Sequence, residues 1–166
     1  MKNKTFRFVT RSAIIAAIYA VLTIILHPYS FGAIQLRLSE AMTLLPVIMP
    51  EAVPGLFVGC VLSNMFSSNM VILDIIFGGG ATLIAAYLTS KIKNKYVGAF
   101  MPVLANGILV SFVITVSETT INSDSFFALY GYNILTVALS EAVVCYLVGI
   151  PLLGIIKKVK EKPKNK

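Results

Sequence analysis

The sequence predicts an all-α integral membrane protein, a six-helix transmembrane bundle with cytoplasmic N- and C-termini. Of its 166 residues, 57% are hydrophobic and 13% are charged, against about 25% charged residues in a soluble domain. Thirteen of the 14 Lys and Arg residues lie in three clusters, within residues 2–11, 91–95 and 157–166. Because cytoplasmic loops collect Lys and Arg, the clusters place both termini and the chain middle inside, with an even number of crossings between them.

The apolar runs between the clusters predict one membrane domain, with helices at about residues 9–26, 38–49, 54–67, 71–90, 97–117 and 130–156. The first helix ends before Pro28, and no small-residue cleavage site follows it, so we expect a retained helix and not a signal peptide. An outside loop is predicted over residues 29–37. The second helix, closed by Pro46 and Pro50, rises only about 18 Å against a hydrocarbon core of about 30 Å. We therefore expect its neighbours to shield it.

The remaining helices follow from the same pattern. A tight turn at residues 50–54 leads into the third helix, and a polar turn at residues 67–69 separates the third helix from the fourth. The fourth ends at the second basic cluster. A polar outside loop from Glu118 to Leu129 joins the fifth helix to the sixth. The basic segment 157–166 is predicted to be a solvated cytoplasmic tail.

Several function classes are disfavoured. The net charge of +7 lies in short runs beside the membrane, which suit anionic lipids of the inner leaflet and not nucleic acid. No phosphate-binding GxxxxGK[ST] loop is present, so we do not expect the chain to hydrolyse ATP itself. The single histidine, His27, has no Ser or Cys partner for hydrolysis, and Cys60 and Cys145 lie in apolar segments. We therefore expect no enzyme, no metal site and no cofactor.

Two groups of small residues carry a packing signal. In the first helix, i, i+3, i+4, i+7 spacing places four alanines on one face: Ala13, Ala16, Ala17 and Ala20. Such a strip lets another helix approach closely, either from the same chain or from a partner subunit, and the spacing leaves both open. Residues 78–80 are three glycines inside the fourth helix. Their cost to helix propensity indicates close packing or a local break there.

Polar residues in the outer half of the bundle are the candidate binding residues. They are Gln35, Arg37, Glu40, Asp74, Asn106, Glu118, Tyr130, Tyr132, Asn133 and Glu141. Ionisable groups inside membrane segments are costly and usually mark function. Structural alternatives are an Arg37–Glu40 pair at i, i+3, a helix N-terminal role for Asp74, solvated loop charges at Glu118 and Asp124, and interfacial positions for the tyrosines.

This set of residue types suits a small, flat solute rich in hydrogen-bond donors. One carboxylate can accept two N–H bonds from a planar edge, and a second can pair with a cation on the ligand. An aromatic ring can stack on the flat face. Together these features favour binding and transport over catalysis.

Four blocks of the sequence carry a family resemblance: IQLRLSEA at residues 34–41, LP at 45–46, PGLFVGC at 54–60 and DIIFG at 74–78. In these blocks the chain resembles the QueT family of substrate-binding S components of energy-coupling factor transporters. The resemblance implies six helices in a bacterial plasma membrane and a site near the outer face. The implied ligand is a queuosine precursor, 7-aminomethyl-7-deazaguanine. The implied partners are a transmembrane coupling subunit and two cytoplasmic ATPases.

The resemblance also implies roles for the residues. The alanine-rich first helix would contact the coupling subunit, which favours partner docking for that strip. One carboxylate would bind N1–H and the 2-amine of the base, and a second would pair with the aminomethyl cation. The preferred order is Glu141, Glu40, Glu118, Asp74. O6 would be bound by Arg37, Asn106 or Asn133, and Tyr130 or Tyr132 would stack on the ring.

Three other functions stay open. They are a stand-alone small-solute transporter, an S component for a different flat cationic micronutrient, and a membrane scaffold that binds no solute. The apolar inner halves of the helices disfavour a continuous polar path for the first. A scaffold would leave the cost of Glu40 and Glu141 inside the membrane unexplained.

Overall fold

The computed structural model describes residues 2–31, 35–67, 71–121 and 125–161, and all regular structure in those ranges is helical. The elements are α1 (Lys2–Ile25), α2 (His27–Ser30), a 3₁₀ helix (Leu38–Val47), α3 (Ala52–Asn64), α4 (Val71–Leu73), a first π turn (Asp74–Gly78), α5 (Gly79–Lys91), α6 (Lys95–Ile121), α7 (Phe126–Val143), a second π turn (Val144–Gly149) and α8 (Ile150–Glu161). The all-α prediction is confirmed. Parts of four predicted features lie outside the described residues: the loop at 32–34, the turn at 68–69, the loop at 122–124 with Asp124, and the tail at 162–166.

Three described helical stretches are long and apolar enough to cross a membrane. They are Asn3–Ile25, Lys95–Thr119 and Phe126–Glu161, and shorter apolar helices cover Leu38–Val47 and Ala52–Asn64. The chain is therefore a multi-pass membrane protein. The π turns continue the helices on both sides, so α4–α5 forms one rod and α7–α8 another. The number of crossings and the cytoplasmic side of the termini stay predictions.

Several helices are longer than the sequence predicted. The first helix starts at Lys2 and not near residue 9, and α8 continues to Glu161 through three of the six lysines that were expected in a solvated tail. These segments are rich in Lys and other residues that favour helix, and Lys157 and Glu161 pair at i, i+4 with 3.9 Å between Nζ and Oε1. The predicted loop after Pro28 begins with the short helix α2. Proline near a helix N-terminus favours such a start because its fixed φ suits the first turn.

The 3₁₀ helix is the central element of the bundle. It packs against α1, α3, α5, α6, α8 and the second π turn, and its residues 39–46 are all buried. Pro46, inside this helix, lacks an N–H and its ring disfavours α geometry. The expected shielding of the short second helix is confirmed. Since long 3₁₀ runs are uncommon, this helix depends on its surroundings for its form.

Helix α1 packs closely on α3 through two glycines. A Cβ at Gly55 would lie 2.7 Å from the carbonyl oxygen of Ser12, and one at Gly59 would lie 2.8 Å from that of Ala16. The alanine strip is divided by this contact, with Ala16 and Ala20 buried and Ala13 and Ala17 exposed. In-chain packing therefore accounts for half of the strip, and the other half stays free for a partner.

One end of the bundle, here called the basic end, holds parts of all three basic clusters. Nη1 of Arg11 lies 2.7 Å from Oε1 of Glu51, and Nζ of Lys160 donates to the Ile48 carbonyl at 2.6 Å. Gly98, close after the second cluster, lies against Val47. The turn that follows the 3₁₀ helix is thus tied to α1 and α8. Burial acts to raise the pKa of Glu51, but the hydrogen bond and charge of Arg11, with Lys160 nearby, hold that pKa below its usual range.

Candidate functional site

Inside the described bundle, six charged or amide side chains predicted from the sequence are buried. They are Arg37, Glu40, Asp74, Asn106, Asn133 and Glu141, each no more than 8% exposed. Four of them form one cluster, here called the acid cluster: Arg37, Glu40, Asn106 and Glu141. Because ionisable groups are costly at membrane depth, this concentration requires a compensating interaction.

Glu40 is presented by the first turn of the 3₁₀ helix, where it is 1% exposed. Its Oε1 accepts a short hydrogen bond from the Tyr19 hydroxyl and a longer one from Oγ1 of Thr82, at 3.4 Å. Its Oε2 is buried and has no hydrogen-bond partner. The carboxylate is thus held through one oxygen and offers the other.

Glu141 reaches the same place from α7, just before the second π turn, and is 3% exposed. Sγ of Cys145 lies 3.4 Å from its Oε1 and 3.7 Å from the Glu40 carbonyl oxygen, and the single S–H of this thiol can donate to either. The amide of Asn106, from α6, is close enough to both carboxylates to interact with each. Two acids distant in sequence are therefore brought near the same amide.

Arg37 approaches the acid cluster from the extended segment before the 3₁₀ helix. Its Nε donates to the Ser30 carbonyl at 3.1 Å, and its guanidinium carbon lies 4.9 Å from the centre of the Phe31 ring. Its Nη2 is buried without a partner. The ion pairs among the described residues are Arg11–Glu51 and Lys157–Glu161, so the alternative of an internal Arg37–Glu40 pair is not realised.

Gln35, two residues before Arg37, has a left-handed backbone with φ of +46°. This conformation is uncommon for residues other than glycine and is often found where a site constrains the chain. Its Oε1 is buried and without a partner, as is Oγ of Ser30. The segment that carries Arg37 is therefore strained and also incompletely hydrogen-bonded.

Asp74 lies beside the acid cluster, in the first π turn, and has a structural partner. Its Oδ2 accepts a short hydrogen bond from the Ser67 hydroxyl, which ties the end of α3 to the next rod. Asp74 is the acidic residue in the first turn of this element, so the helix N-terminal role stays a prediction. Its charge is close enough to Arg37 for the two to interact.

Asn64 was not among the residues predicted from sequence, yet it lies at this site. It ends α3, is fully buried, and donates from Nδ2 to the Asp74 carbonyl at 2.7 Å. Its Oδ1 has no partner. The sequence shows an amide at the end of an apolar helix, which could have indicated this role. The polar turn that follows made it look like part of the turn.

Glu118 and Asn133 belong to a second group, here called the α6–α7 polar group. Nδ2 of Asn133 donates to Oε2 of Glu118 at 2.8 Å and to Oγ1 of Thr115 at 3.1 Å. The Ser111 hydroxyl donates to the Asn133 carbonyl at 2.9 Å. Asn133 precedes Glu141 by eight residues, about 12 Å along a helix axis. This group joins α6 to α7 and leaves none of these side chains unpaired.

The two predicted stacking tyrosines lie in different surroundings. Tyr130 packs in a group of rings with Phe112 and Phe126, and its hydroxyl donates to the Ile108 carbonyl at 3.0 Å. Tyr132 is 64% exposed, on the outside of the bundle. The structure therefore places Tyr130, and not Tyr132, among the packed aromatic residues.

Five buried side-chain atoms lack partners among the described residues, and all five lie in or beside the acid cluster. They are Ser30 Oγ, Gln35 Oε1, Arg37 Nη2, Glu40 Oε2 and Asn64 Oδ1. A buried polar atom without a partner costs about 1–3 kcal/mol, and such atoms are rare in folded proteins. Their concentration indicates a site that a hydrogen-bonding solute completes. The described residues contain no group of three or more His, Cys, Asp or Glu side chains that could hold a metal ion.

Comparisons with known proteins identify the family of the chain. A family model described as "QueT transporter" matches residues 9–158. The chain is also similar to a protein of Lactococcus lactis subsp. cremoris (strain MG1363) named "Queuosine precursor transporter QueT", with 38% identity over 101 residues. That alignment covers 57% of this chain and 58% of the relative, so the chain is aligned with little more than half of the relative's length. No solved structure matches the fold.

Proposed function

Because this chain belongs to the QueT transporter family, we propose that it is the substrate-binding S component of an energy-coupling factor importer. The proposed substrate is a 7-deazaguanine queuosine precursor, 7-aminomethyl-7-deazaguanine. The name of the Lactococcus relative supports this substrate class. The multi-pass helical bundle supports a membrane transport role.

The observation that carries the proposal is the set of unpaired buried atoms at the acid cluster. A deazaguanine has a planar edge with two N–H donor groups and one carbonyl acceptor. Glu40 offers an unused carboxylate oxygen to a donor, and Arg37 offers an unused N–H to the carbonyl. Charge-assisted bonds of this kind are stronger than neutral ones. The ligand edge would thus satisfy groups that the protein leaves open.

Glu141 is the proposed partner of the aminomethyl cation. It is buried and close enough to Glu40 and Asn106 to interact with both. Glu40 then accepts a hydrogen bond from the neutral edge of the base, and Glu141 balances the positive charge of the aminomethyl group. Gln35 would add a further polar contact, and Tyr130 would stack on the base. Asp74 supports the site through Ser67 and its charge, while Glu118 and Asn133 hold α6 to α7.

The proposed partners are a transmembrane coupling subunit and two ATPases, since the chain has no phosphate-binding loop of its own. The exposed alanines, Ala13 and Ala17, lie on a face of α1 that also exposes Ile14, Ile18 and Val21. A surface of small and apolar residues suits close helix packing within the membrane. The basic end would face the cytoplasm, and the bundle would topple to carry the ligand inward.

Calorimetric titration of 7-aminomethyl-7-deazaguanine into the purified chain in detergent tests the binding role, with guanine as the control. We expect one-to-one binding without any partner subunit, and weaker binding of guanine, which lacks the cation. Absence of binding to a folded protein would contradict the proposed substrate.

Uptake into proteoliposomes tests the importer role. We expect ATP-dependent uptake only when the coupling subunit and the ATPases are reconstituted with the chain. Uptake by the chain alone would instead support a stand-alone transporter. A matched pair of variants, Ala17→Leu on the exposed strip and Ala128→Leu on an exposed position of α7, separates partner docking from general effects of bulk, because only the first should reduce uptake.

A further inference from the structure

The orientation of the Asn64 amide is fixed by its surroundings. Nδ2 lies 2.7 Å from the Asp74 carbonyl oxygen, which can only accept a hydrogen bond, so the nitrogen must face it. Oδ1 therefore faces the other way, where it is buried and has no partner. Asn64 is fully buried, so water outside the bundle does not satisfy this oxygen. The side chain presents one fixed, unused acceptor.

The first π turn and its glycine make room for this amide. A Cβ at Gly78 would lie 2.7 Å from Nδ2 of Asn64 and 3.9 Å from Nη1 of Arg37. Any side chain at position 78 would therefore displace the amide. Gly80, two residues further along the rod, has no atom within 4 Å of its Cβ position. Gly78 thus also shows that the Asn64 amide and the Arg37 guanidinium approach the same point of the π turn.

A chain of polar contacts joins Asn64 to Glu40. Nδ2 of Asn64 also lies 3.5 Å from Sγ of Cys60. Oγ1 of Thr82 lies 3.3 Å from the same sulfur and 3.4 Å from Oε1 of Glu40. The site therefore contains two unused acceptors, Asn64 Oδ1 and Glu40 Oε2, and one unused charged donor, Arg37 Nη2. The other two unpaired atoms, on Ser30 and Gln35, belong to the segment around Arg37.

This pattern complements one planar edge in particular. The edge of a guanine-type base carries N1–H, a 2-amine and a 6-carbonyl, which are two donor groups and one acceptor. Glu40 has already used one oxygen on Tyr19 and Thr82, so its free oxygen serves one N–H of the edge. The second donor needs another acceptor, and Asn64 supplies one.

We infer that Asn64 is a specificity residue that accepts a hydrogen bond from the exocyclic 2-amine of the base. The inference rests on the proposed function, because it assigns a role within the same site. A buried acceptor left unpaired strongly disfavours an analogue that lacks the matching donor. The site should therefore select guanine-type bases over hypoxanthine-type bases that carry the same aminomethyl group.

The test measures two affinities for each protein: 7-aminomethyl-7-deazaguanine and its analogue without the 2-amine, 7-aminomethyl-7-deazahypoxanthine. We expect the wild-type chain to prefer the first by more than about tenfold. Asn64→Ala removes the acceptor, and Gly78→Ala displaces it through a methyl group. Both should bring the ratio of the two affinities close to one, chiefly by weakening the first ligand.

Two control variants match these substitutions. Ser63→Ala alters the buried neighbour of Asn64, whose hydroxyl is satisfied within α3 by the Cys60 carbonyl at 3.0 Å. Gly80→Ala adds the same methyl group to the same rod where the space is open. Both controls should keep the wild-type ratio. If Asn64→Ala does not fold, Gly78→Ala still tests the inference, because the amide it displaces is the end of a side chain.

The outcomes separate the two levels of the argument. A folded Asn64→Ala or Gly78→Ala protein that keeps the wild-type preference overturns the role of Asn64 and leaves the proposed function intact. The same holds if the variants weaken both ligands equally. A folded wild-type protein that binds neither ligand overturns the proposed function, and the role of Asn64 with it.

Discussion

The acid cluster and the α6–α7 polar group are built from the same kinds of residue but differ in how their hydrogen bonds are completed. Both place a glutamate and an asparagine among apolar helices. In the α6–α7 polar group, Asn133 donates to Glu118 and to Thr115. In the acid cluster and beside it, an oxygen of Glu40, an oxygen of Asn64 and a nitrogen of Arg37 have no partner.

This difference separates polar residues that hold helices together from polar residues whose hydrogen-bonding groups are available to a solute. A satisfied buried group contributes modestly to stability, whereas an unsatisfied one is costly. Polarity inside the membrane therefore does not by itself identify a binding site. The state of the hydrogen bonds does, and the following predictions test that distinction.

The largest expected effect is on ligand affinity when the second carboxylate is neutralised. Glu141→Gln leaves the ligand cation without its buried counter-charge, and we expect binding to weaken by roughly a hundredfold, in line with breaking a buried pair. Calorimetry measures this loss. The matched variant Glu118→Gln, in the α6–α7 polar group, should stay close to the wild-type affinity. Equal losses in both variants would remove the distinction between the two groups.

Arg37→Lys should weaken binding by about tenfold, because a lysine cannot reproduce both the bond to the Ser30 carbonyl and the free Nη2 donor. The positive charge is kept, so the loss reports geometry and not charge. Binding isotherms at two salt concentrations check this, since a geometric loss should change little with salt. A variant with the wild-type affinity would exclude Arg37 from the ligand contacts.

Asn133→Ala should lower the stability of the bundle without lowering the affinity of the folded protein. It leaves Glu118 without its amide donor, at a cost of about 1–3 kcal/mol for a group of this kind. Asn106→Ala, in the acid cluster, should instead clearly lower the affinity for the ligand. Thermal unfolding in detergent and calorimetry on the same samples measure both quantities. A reversed pattern would assign the site to the α6–α7 polar group.

The smallest expected effect concerns Glu51, whose pKa is held below its usual range at the basic end. A lowered folded pKa stabilises the fold above the ordinary carboxylate pKa, and the contribution disappears as pH falls through the lowered value. The partner Arg11 is 54% exposed, so we expect less than about 1 kcal/mol.

Unfolding midpoints of the wild type and Glu51→Gln check this from neutral to acidic pH. The wild type should be slightly more stable at neutral pH, and the difference should vanish on acidification. A difference that grows as the pH falls would contradict the sign.

Much of the fold could be predicted from the sequence. Apolar runs and basic clusters predicted the helices in their correct order and a buried short second helix. The 3₁₀ form of that helix could not be predicted, because it depends on packing against six neighbouring elements. The π turn at Asp74–Gly78 was indicated only in part, because the glycines at residues 78–80 predicted close packing or a local break without its form.

The site was predicted in part. Glu40 and Glu141 were identifiable because a carboxylate within an apolar run is costly. Asn64 was missed because it lies just before a polar turn, where an amide attracts no attention. The pairing of Asn133 with Glu118 could not be predicted either, because it joins different helices. The sequence shows which groups are polar, whereas only the packing decides which are left unpaired.

The most direct test of the central claim is an experimental structure of the chain with 7-aminomethyl-7-deazaguanine bound. We predict that the base lies in the acid cluster, with its edge on Glu40, Asn64 and Arg37 and its aminomethyl group on Glu141. Each of these contacts would supply the hydrogen-bond partner or counter-charge that the chain alone does not provide. A ligand bound at Glu118 and Asn133, with Glu40 and Arg37 untouched, would contradict the account.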